Sequence, residues 1–174
     1  MPLLLAALTF AAHKHRDQRR KGVTALPYIN HPIDVAHLLA SLGGIDDPVV
    51  LMAAVLHDTI EDTDTTADEL RGHFGEAVTA VVCEVTDDKT LRTEQRKALQ
   101  IEHAAHLSRE ARLVKLADKI CNVRDIATHP PANWPLQRQQ EYFDWAKAVV
   151  DQLRGTHAKL EAVFDDACAL RPVG

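Results

Sequence analysis

A histidine and an aspartate, His57 and Asp58, directly follow an apolar run at residues 49–56. Burying an imidazole beside a carboxylate costs several kcal/mol unless the two groups pair with each other or bind a metal ion. A paired structural histidine is the more common use of such a dipeptide. The dipeptide alone therefore does not decide between a structural role and metal binding.

Two further positions favour a metal. His31 lies at the predicted start of a helix, and Asp118 lies in the middle of the apolar residues 113–120, where an unpaired carboxylate would be costly. Together with His57 and Asp58 they offer two imidazole nitrogens and two carboxylate oxygens. This donor set suits an octahedral ion such as Mn²⁺ or Fe²⁺, with two positions open for water and substrate. The lack of thiolate donors argues against a closed structural zinc site.

The order and types of these donors resemble the H…HD…D signature of the HD-domain metal-dependent phosphohydrolases, a helical superfamily. Three segments closely resemble the hydrolase domain of the Rel/SpoT family: residues 27–32, 56–64 and 113–124. The resemblance extends over nearly the whole chain, and we expect no synthetase or regulatory domain. It therefore implies an all-α HD-domain helical bundle that forms a single hydrolase domain at residues 1–174. The type it implies is a stand-alone small alarmone hydrolase, similar to the Mesh-type members.

The resemblance also assigns catalysis to Glu61 and Asp62, which stand where the family carries a Glu-Asp pair. Glu61 lies four residues after His57, and Asp62 four after Asp58. A continuing helical turn would thus point both carboxylates toward the metal. The alternative is that they are acidic groups at the start of the next helix, which residues 64–66 are also suited to cap.

Five residues match positions that contact the nucleotide in the family: Arg20, Lys21, Asn122, Arg138 and Tyr142. The resemblance places Arg20 and Lys21 against the guanine, where a guanidinium can stack on a purine face. It places Asn122 near the base and ribose, and Arg138 and Tyr142 opposite the phosphates and sugar. For each residue, a solvated charge or simple helix packing is the alternative.

The resemblance implies a Mn²⁺-dependent removal of the 3′-pyrophosphate from (p)ppGpp, which yields GDP or GTP and pyrophosphate. Glu61 would orient or deprotonate the attacking water, and Asp62 would manage the proton of the leaving group. Two alternatives stay open: a phosphatase for another nucleotide, including the 2′-phosphate of NADPH, and a silent alarmone-binding sensor. Thr93 departs from the metazoan relatives, which carry a lysine there, so phosphate binding or substrate preference can differ.

Apolar residues recur at helical spacing almost throughout the chain, which predicts an α-helical bundle. The first helix is predicted to end near Arg20, before Lys21-Gly22 and the proline-containing residues 26–32. Pro32 and Pro48 suit the first turns of the next two helices. Later helices are predicted at residues 66–73, 76–85, 93–106 and 108–128, then after Pro135 and after Gly155.

The composition bounds the partners. A net charge of −5 gives no general attraction to nucleic acid or an anionic membrane, so an anionic ligand needs a local cationic pocket. We therefore expect a small-molecule nucleotide as partner, no nucleic acid and no membrane, and the sequence leaves a homo-oligomer open. The apolar residues 1–12 lack the preceding positive charges of a signal peptide, so we expect the protein in the cytoplasm.

Overall fold

The computed structural model describes residues 1–22 and 25–174. Within these ranges the chain forms helices and no β-strand, apart from isolated antiparallel bridges that join Arg19 to Pro27 and Gly22 to Pro131. The helices are α1 (Pro2–Lys14), α2 (Asn30–Ser41), α3 (Pro48–Leu56), α4 (Thr59–Asp62), α5 (Ala67–Val85), α6 (Thr93–Ala104), α7 (Arg109–Thr128), α8 (Leu136–Asp151) and α9 (Ala158–Cys168). The predicted all-α architecture is confirmed.

Helices α3 and α7 form the centre of the bundle. Helix α3 packs against α1, α2, α5 and α7, while α7 also packs against α2, α5, α8 and α9. As its all-round apolar sequence predicts, α3 is buried along most of its length. Helix α7 is also largely buried, although its buried residues include the charged Lys115, Asp118 and Lys119. Buried charges of this kind need partners. Lys115 donates to the Val85 carbonyl at 2.9 Å, whereas the partners of Asp118 and Lys119 belong to the site described below.

The first helix ends at Lys14, six residues before the predicted end at Arg20. Backbone hydrogen bonds explain the difference. The Arg20 N–H donates to the Leu26 carbonyl at 2.9 Å, and the Tyr28 N–H donates to the Gln18 carbonyl at 3.1 Å. This local pairing of residues 18–20 with residues 26–28 satisfies backbone groups that a longer helix would otherwise use.

Other predicted helix boundaries agree with the structure. Helix α3 begins at Pro48, and the Asp47 carboxylate caps it by accepting from the Val49 N–H at 2.8 Å. The predicted break between residues 73 and 76 is a kink inside α5 at Gly75, which has φ of 83°. None of the helices in the described part of the chain is long and apolar enough to cross a membrane.

Candidate functional site

Four predicted metal ligands converge from three separate elements. His31 lies near the start of α2, His57 and Asp58 follow α3, and Asp118 lies within α7. The His31 Nε2 atom is 3.1 Å from Asp118 Oδ1 and 3.8 Å from Asp58 Oδ2. The His57 Nε2 atom is 3.1 Å from Asp58 Oδ2 and 3.7 Å from Asp118 Oδ1. The α2–α3–α7 packing thus brings donor atoms of His31, His57 and Asp118 within 4.8 Å of one another, and Asp58 lies beside both imidazoles.

An interruption of the helix allows the adjacent residues His57 and Asp58 to face the same point. Successive residues of a continuous α-helix point about 100° apart. Here α3 ends at Leu56, Asp58 has φ of −97° and ψ of −2°, and the one-turn helix α4 begins at Thr59. The Thr59 hydroxyl donates to the Leu56 carbonyl at 2.6 Å, which satisfies that carbonyl at the helix end. The helical turn through residues 57–62 is therefore not continuous with α3, because α4 begins anew at Thr59.

The environment of His57 fits a divalent cation. Its Nδ1–H donates to the Ala54 carbonyl at 2.8 Å, which leaves the Nε2 lone pair directed at the carboxylates. Within residues 1–22 and 25–174, this buried Nε2 atom has no hydrogen-bond partner. Burial lowers the pKa of His57, but the Asp58 and Asp118 carboxylates outweigh this effect and raise the pKa to about 10. The cluster thus favours a positive charge at Nε2, which a divalent ion would supply.

Both oxygens of Asp118 have further hydrogen-bond donors. Asn122 Nδ2 donates to Oδ1 at 2.6 Å, and Lys119 Nζ donates to Oδ2 at 3.2 Å. The Lys119 ammonium also lies 4.4 Å from the centre of the Trp145 ring. Burial raises the pKa of Asp118, but Lys119 and the imidazoles outweigh this effect and hold the pKa well below its usual range. The lysine therefore keeps this buried carboxylate ionised and oriented.

Sequence reasoning missed Lys119 and a second supporting residue, Tyr28. The Tyr28 hydroxyl donates to Asp58 Oδ2 at 2.7 Å. Metal ligands are commonly oriented by such donors behind them. Lys119 could have been found from the sequence, because a lysine next to a buried aspartate on an apolar helix itself needs a partner. No sequence signal distinguishes Tyr28 from a packing aromatic.

The two predicted catalytic carboxylates have different partners. The Asp87 N–H donates to Glu61 Oε2 at 3.2 Å, and Arg96 Nη1 lies 3.6 Å from Glu61 Oε1. Burial and the nearby Asp87 carboxylate raise the pKa of Glu61. Asp62 instead forms an ion pair with Lys89. Asp87 and Lys89 belong to the loop that joins α5 to α6, and Arg96 lies on α6.

A cavity of about 610 Å³ opens beside the four-donor cluster. Tyr28 and Asn122, which donate to two of the carboxylate ligands, form part of its wall. Four basic and two acidic side chains line it, although the whole chain carries a charge of −5. Its charged residues are Arg19, Arg20, Lys21, Lys89, Asp62 and Asp125. The cavity is therefore the local cationic pocket that an anionic ligand requires, and its size suits a small molecule.

Arg20 connects the cavity to the cluster. Its Nη2 atom donates to Asp125 Oδ2 at 2.5 Å and to Asn122 Oδ1 at 3.0 Å. Because Asn122 in turn donates to Asp118, one chain of hydrogen bonds runs from the Arg20 guanidinium to the cluster. The guanidinium also lies 5.7 Å from the centre of the Tyr28 ring. Asp125 is a further residue that sequence reasoning missed.

The remaining predicted substrate residues are not all in the cavity wall. Lys21 and Tyr142 line it. Arg138 lies outside the described lining and is exposed, and its guanidinium stacks 4.5 Å from the centre of the Trp134 ring, which does line the cavity. Thr93 is the exposed first residue of α6, also outside that lining.

Known proteins share both the sequence and the fold. The HD domain family matches residues 7–144. The guanosine-3′,5′-bis(diphosphate) 3′-pyrophosphohydrolase MESH1 of Xenopus tropicalis is 56% identical over 163 residues, covering 94% of this chain and 91% of that protein. Its Homo sapiens counterpart is 58% identical over 158 residues, covering 91% and 88%. A solved structure of a metazoan orthologue of SpoT that hydrolyses ppGpp superposes with a TM-score of 0.96 at 47% identity, covering 98% of this chain and 96% of that one. The chain therefore belongs to the HD-domain family and, within it, to the MESH1 group.

Proposed function

We propose that this chain is a Mn²⁺-dependent hydrolase that removes the 3′-pyrophosphate of ppGpp, giving GDP and pyrophosphate, and likewise converts pppGpp to GTP. The relatives in the MESH1 group are named guanosine-3′,5′-bis(diphosphate) 3′-pyrophosphohydrolases. The observation that carries the proposal is the cluster of His31, His57 and Asp118, with Asp58 beside both imidazoles, next to a cationic cavity in an acidic protein. We further propose that residues 1–174 act as one hydrolase domain.

The donor set favours a divalent ion of the Mn²⁺ class, for which nitrogen and carboxylate ligands are common. His31, His57, Asp58 and Asp118 would hold it, and it would supply Lewis-acid activation of water and phosphoryl oxygens when bound. Asn122 and Lys119 orient Asp118 for this task, since each donates to one of its oxygens.

Glu61 is assigned as the base that takes a proton from the attacking water. Its raised pKa supports this role, because a base works best when its proton affinity approaches the working pH. As the water oxygen bonds to the phosphorus next to the sugar, the O3′–P bond breaks. The proton taken from the water is assigned to pass by way of Asp62 to the ribose 3′-oxygen, so that the products are a free 3′-hydroxyl and intact pyrophosphate.

The nucleotide is assigned to the cavity through Arg20, Lys21, Asn122 and Tyr142. Arg20 has a planar cation that can stack on a purine, and Tyr142 offers an aromatic wall. The cationic lining balances the charge of the phosphates. Arg138 is assigned a less direct role, in which it supports the Trp134 wall by stacking on it.

The test is incubation of the purified chain with Mn²⁺ and ppGpp, with the phosphorus products followed by ³¹P NMR. We expect GDP and pyrophosphate, and no product when the metal is removed by chelation. NADPH, measured at the same Mn²⁺ concentration, should have a lower kcat/KM because its nicotinamide half extends beyond a pocket for one nucleotide. Orthophosphate as the first product would contradict attack at the sugar-proximal phosphorus, and a clear preference for NADPH would contradict the proposed substrate.

A further inference from the structure

Lys89 occupies a special position among the basic residues of the cavity. It lies between α5 and α6, in the loop that also holds Glu61 through the Asp87 N–H. The Asp88 carboxylate accepts from the Thr90 N–H at 2.9 Å and from the Thr90 hydroxyl at 2.7 Å, which fixes the turn around Lys89. Its ammonium pairs with Asp62 and lines the cavity. The Lys89 ammonium thus contacts the Asp62 carboxylate, which the proposed mechanism needs for proton transfer.

The Lys89–Asp62 pair is suited to exchange. The Lys89 side chain is 48% exposed, and an ion pair with such a solvated lysine is weak. A diphosphate carries more charge than a carboxylate and accepts stronger, charge-assisted hydrogen bonds. Arg20, in contrast, already donates to Asp125 and Asn122. The Lys89 ammonium is therefore held less firmly than the Arg20 guanidinium, and it lies next to Asp62, a proposed catalytic group.

We propose that Lys89 determines specificity for the 3′-diphosphate: its ammonium neutralises Asp62 in the ligand-free chain and moves to a phosphate oxygen when the nucleotide binds. This inference rests on the proposed function of the same site. The exchange couples substrate to chemistry, because arrival of the diphosphate frees Asp62 to exchange a proton with the 3′-oxygen. A nucleotide without a 3′-phosphate leaves the Lys89–Asp62 pair intact.

The test is a double-mutant cycle in a background that binds but turns over slowly. Glu61→Gln supplies the background, and Lys89→Met and Asp62→Asn are added singly and together. The Kd of ppGpp is measured by calorimetry in the presence of Mn²⁺, with GDP as the ligand that lacks the 3′-diphosphate. Lys147→Met is the matched control, since it breaks the 2.6 Å Lys147–Asp151 ion pair outside the cavity lining.

We expect Lys89→Met to raise the Kd of ppGpp at least roughly ten-fold whether residue 62 is Asp or Asn, because the lost contact is to phosphate. GDP binding should be unchanged, Lys89→Arg should retain most of the affinity, and Lys147→Met should have no effect.

If the effect of Lys89→Met disappears in the Asp62→Asn chain, Lys89 only neutralises Asp62 and the inference is overturned. An equal loss for GDP would overturn it as well. Failure of the unaltered chain to hydrolyse ppGpp would remove the proposed function and this inference with it. Normal hydrolysis with unchanged ppGpp binding in Lys89→Met would remove only the role of Lys89.

Discussion

At the scale of single residues, the site separates groups that would hold a metal from groups that would act on the substrate. Asp118 is almost fully buried and has a donor on each oxygen, so its position is strongly constrained. Glu61 is partly exposed and is held by one backbone N–H and a more distant arginine. The two carboxylates should therefore respond differently to neutralisation.

Glu61→Gln should leave one metal ion per chain and lower kcat by roughly 100-fold or more, since only proton transfer is lost. Asp118→Asn should instead lose most of its metal, because one anionic ligand is removed and the Lys119 cation remains beside the site. Elemental analysis and steady-state kinetics on both variants measure the difference. Normal turnover in Glu61→Gln, or loss of its metal, would show that its assigned role is wrong.

At the scale of elements, two departures from regular helix position the site. The break after α3 turns His57 and Asp58 toward the same point. The kink at Gly75 redirects α5, whose second half buries Val78 and Val82 and leads to the loop that holds Glu61 and Asp62. Gly75 has φ of 83°, a left-handed value that side chains disfavour, whereas Gly72 lies in regular helix.

The two glycines form a matched pair, because an added Cβ would meet nothing within 4 Å at either position. Gly75→Ala should lower the free energy of unfolding by about 1–3 kcal/mol, because φ of 83° with ψ of 171° is a conformation that essentially only glycine adopts. Gly72→Ala should raise it by up to about 1 kcal/mol, because alanine is the better helix former. Urea denaturation of both variants measures these changes, and a change of the same sign in both would contradict the assigned kink.

At the scale of the whole molecule, stability and metal binding are linked through charge. The metal-free cluster attracts a proton, since its carboxylates raise the pKa of His57 from 6.5 to about 10 despite burial. When the pKa of a group is higher in the folded chain than in the unfolded chain, its protonation stabilises the fold. The stabilisation is complete below the pKa of the unfolded chain and is lost as the pH rises through the pKa of the folded chain. A metal ion competes with the proton on His57, so metal affinity should continue to rise with pH above 6.5, the ordinary pKa of histidine.

The chelated chain should therefore lose stability as the pH is raised from about 6.5 toward 10, while the gain from Mn²⁺ grows over the same range. At a metal concentration 100-fold above Kd, the gain is about 2.7 kcal/mol, or roughly 5–10 °C in Tm for a domain of this size. Thermal denaturation with Mn²⁺ and with chelator, between pH 6 and 8.5, measures both trends. Asp118→Asn is the control and should show little response to Mn²⁺. A gain that shrinks with rising pH would contradict proton competition at His57.

The helical class and most helix boundaries could be predicted from the sequence, which also singled out the four candidate donors. These features depend on short-range chemistry. Pro48 suits the first turn of a helix because its φ is fixed, and a histidine and an aspartate after an apolar run are costly unless they have partners. Its resemblance to the Rel/SpoT hydrolases named the same residues.

Only the tertiary structure decided which side chains meet. The first helix ends at Lys14 because residues 18–20 pair with residues 26–28, a choice that no local preference specifies. Tyr28 reaches Asp58 across 30 residues, and Lys89 reaches Asp62 across 27. Such contacts depend on how α2, α3 and α7 pack and on where the α5–α6 loop lies, because partners distant in the chain are selected by packing and charge rather than by spacing.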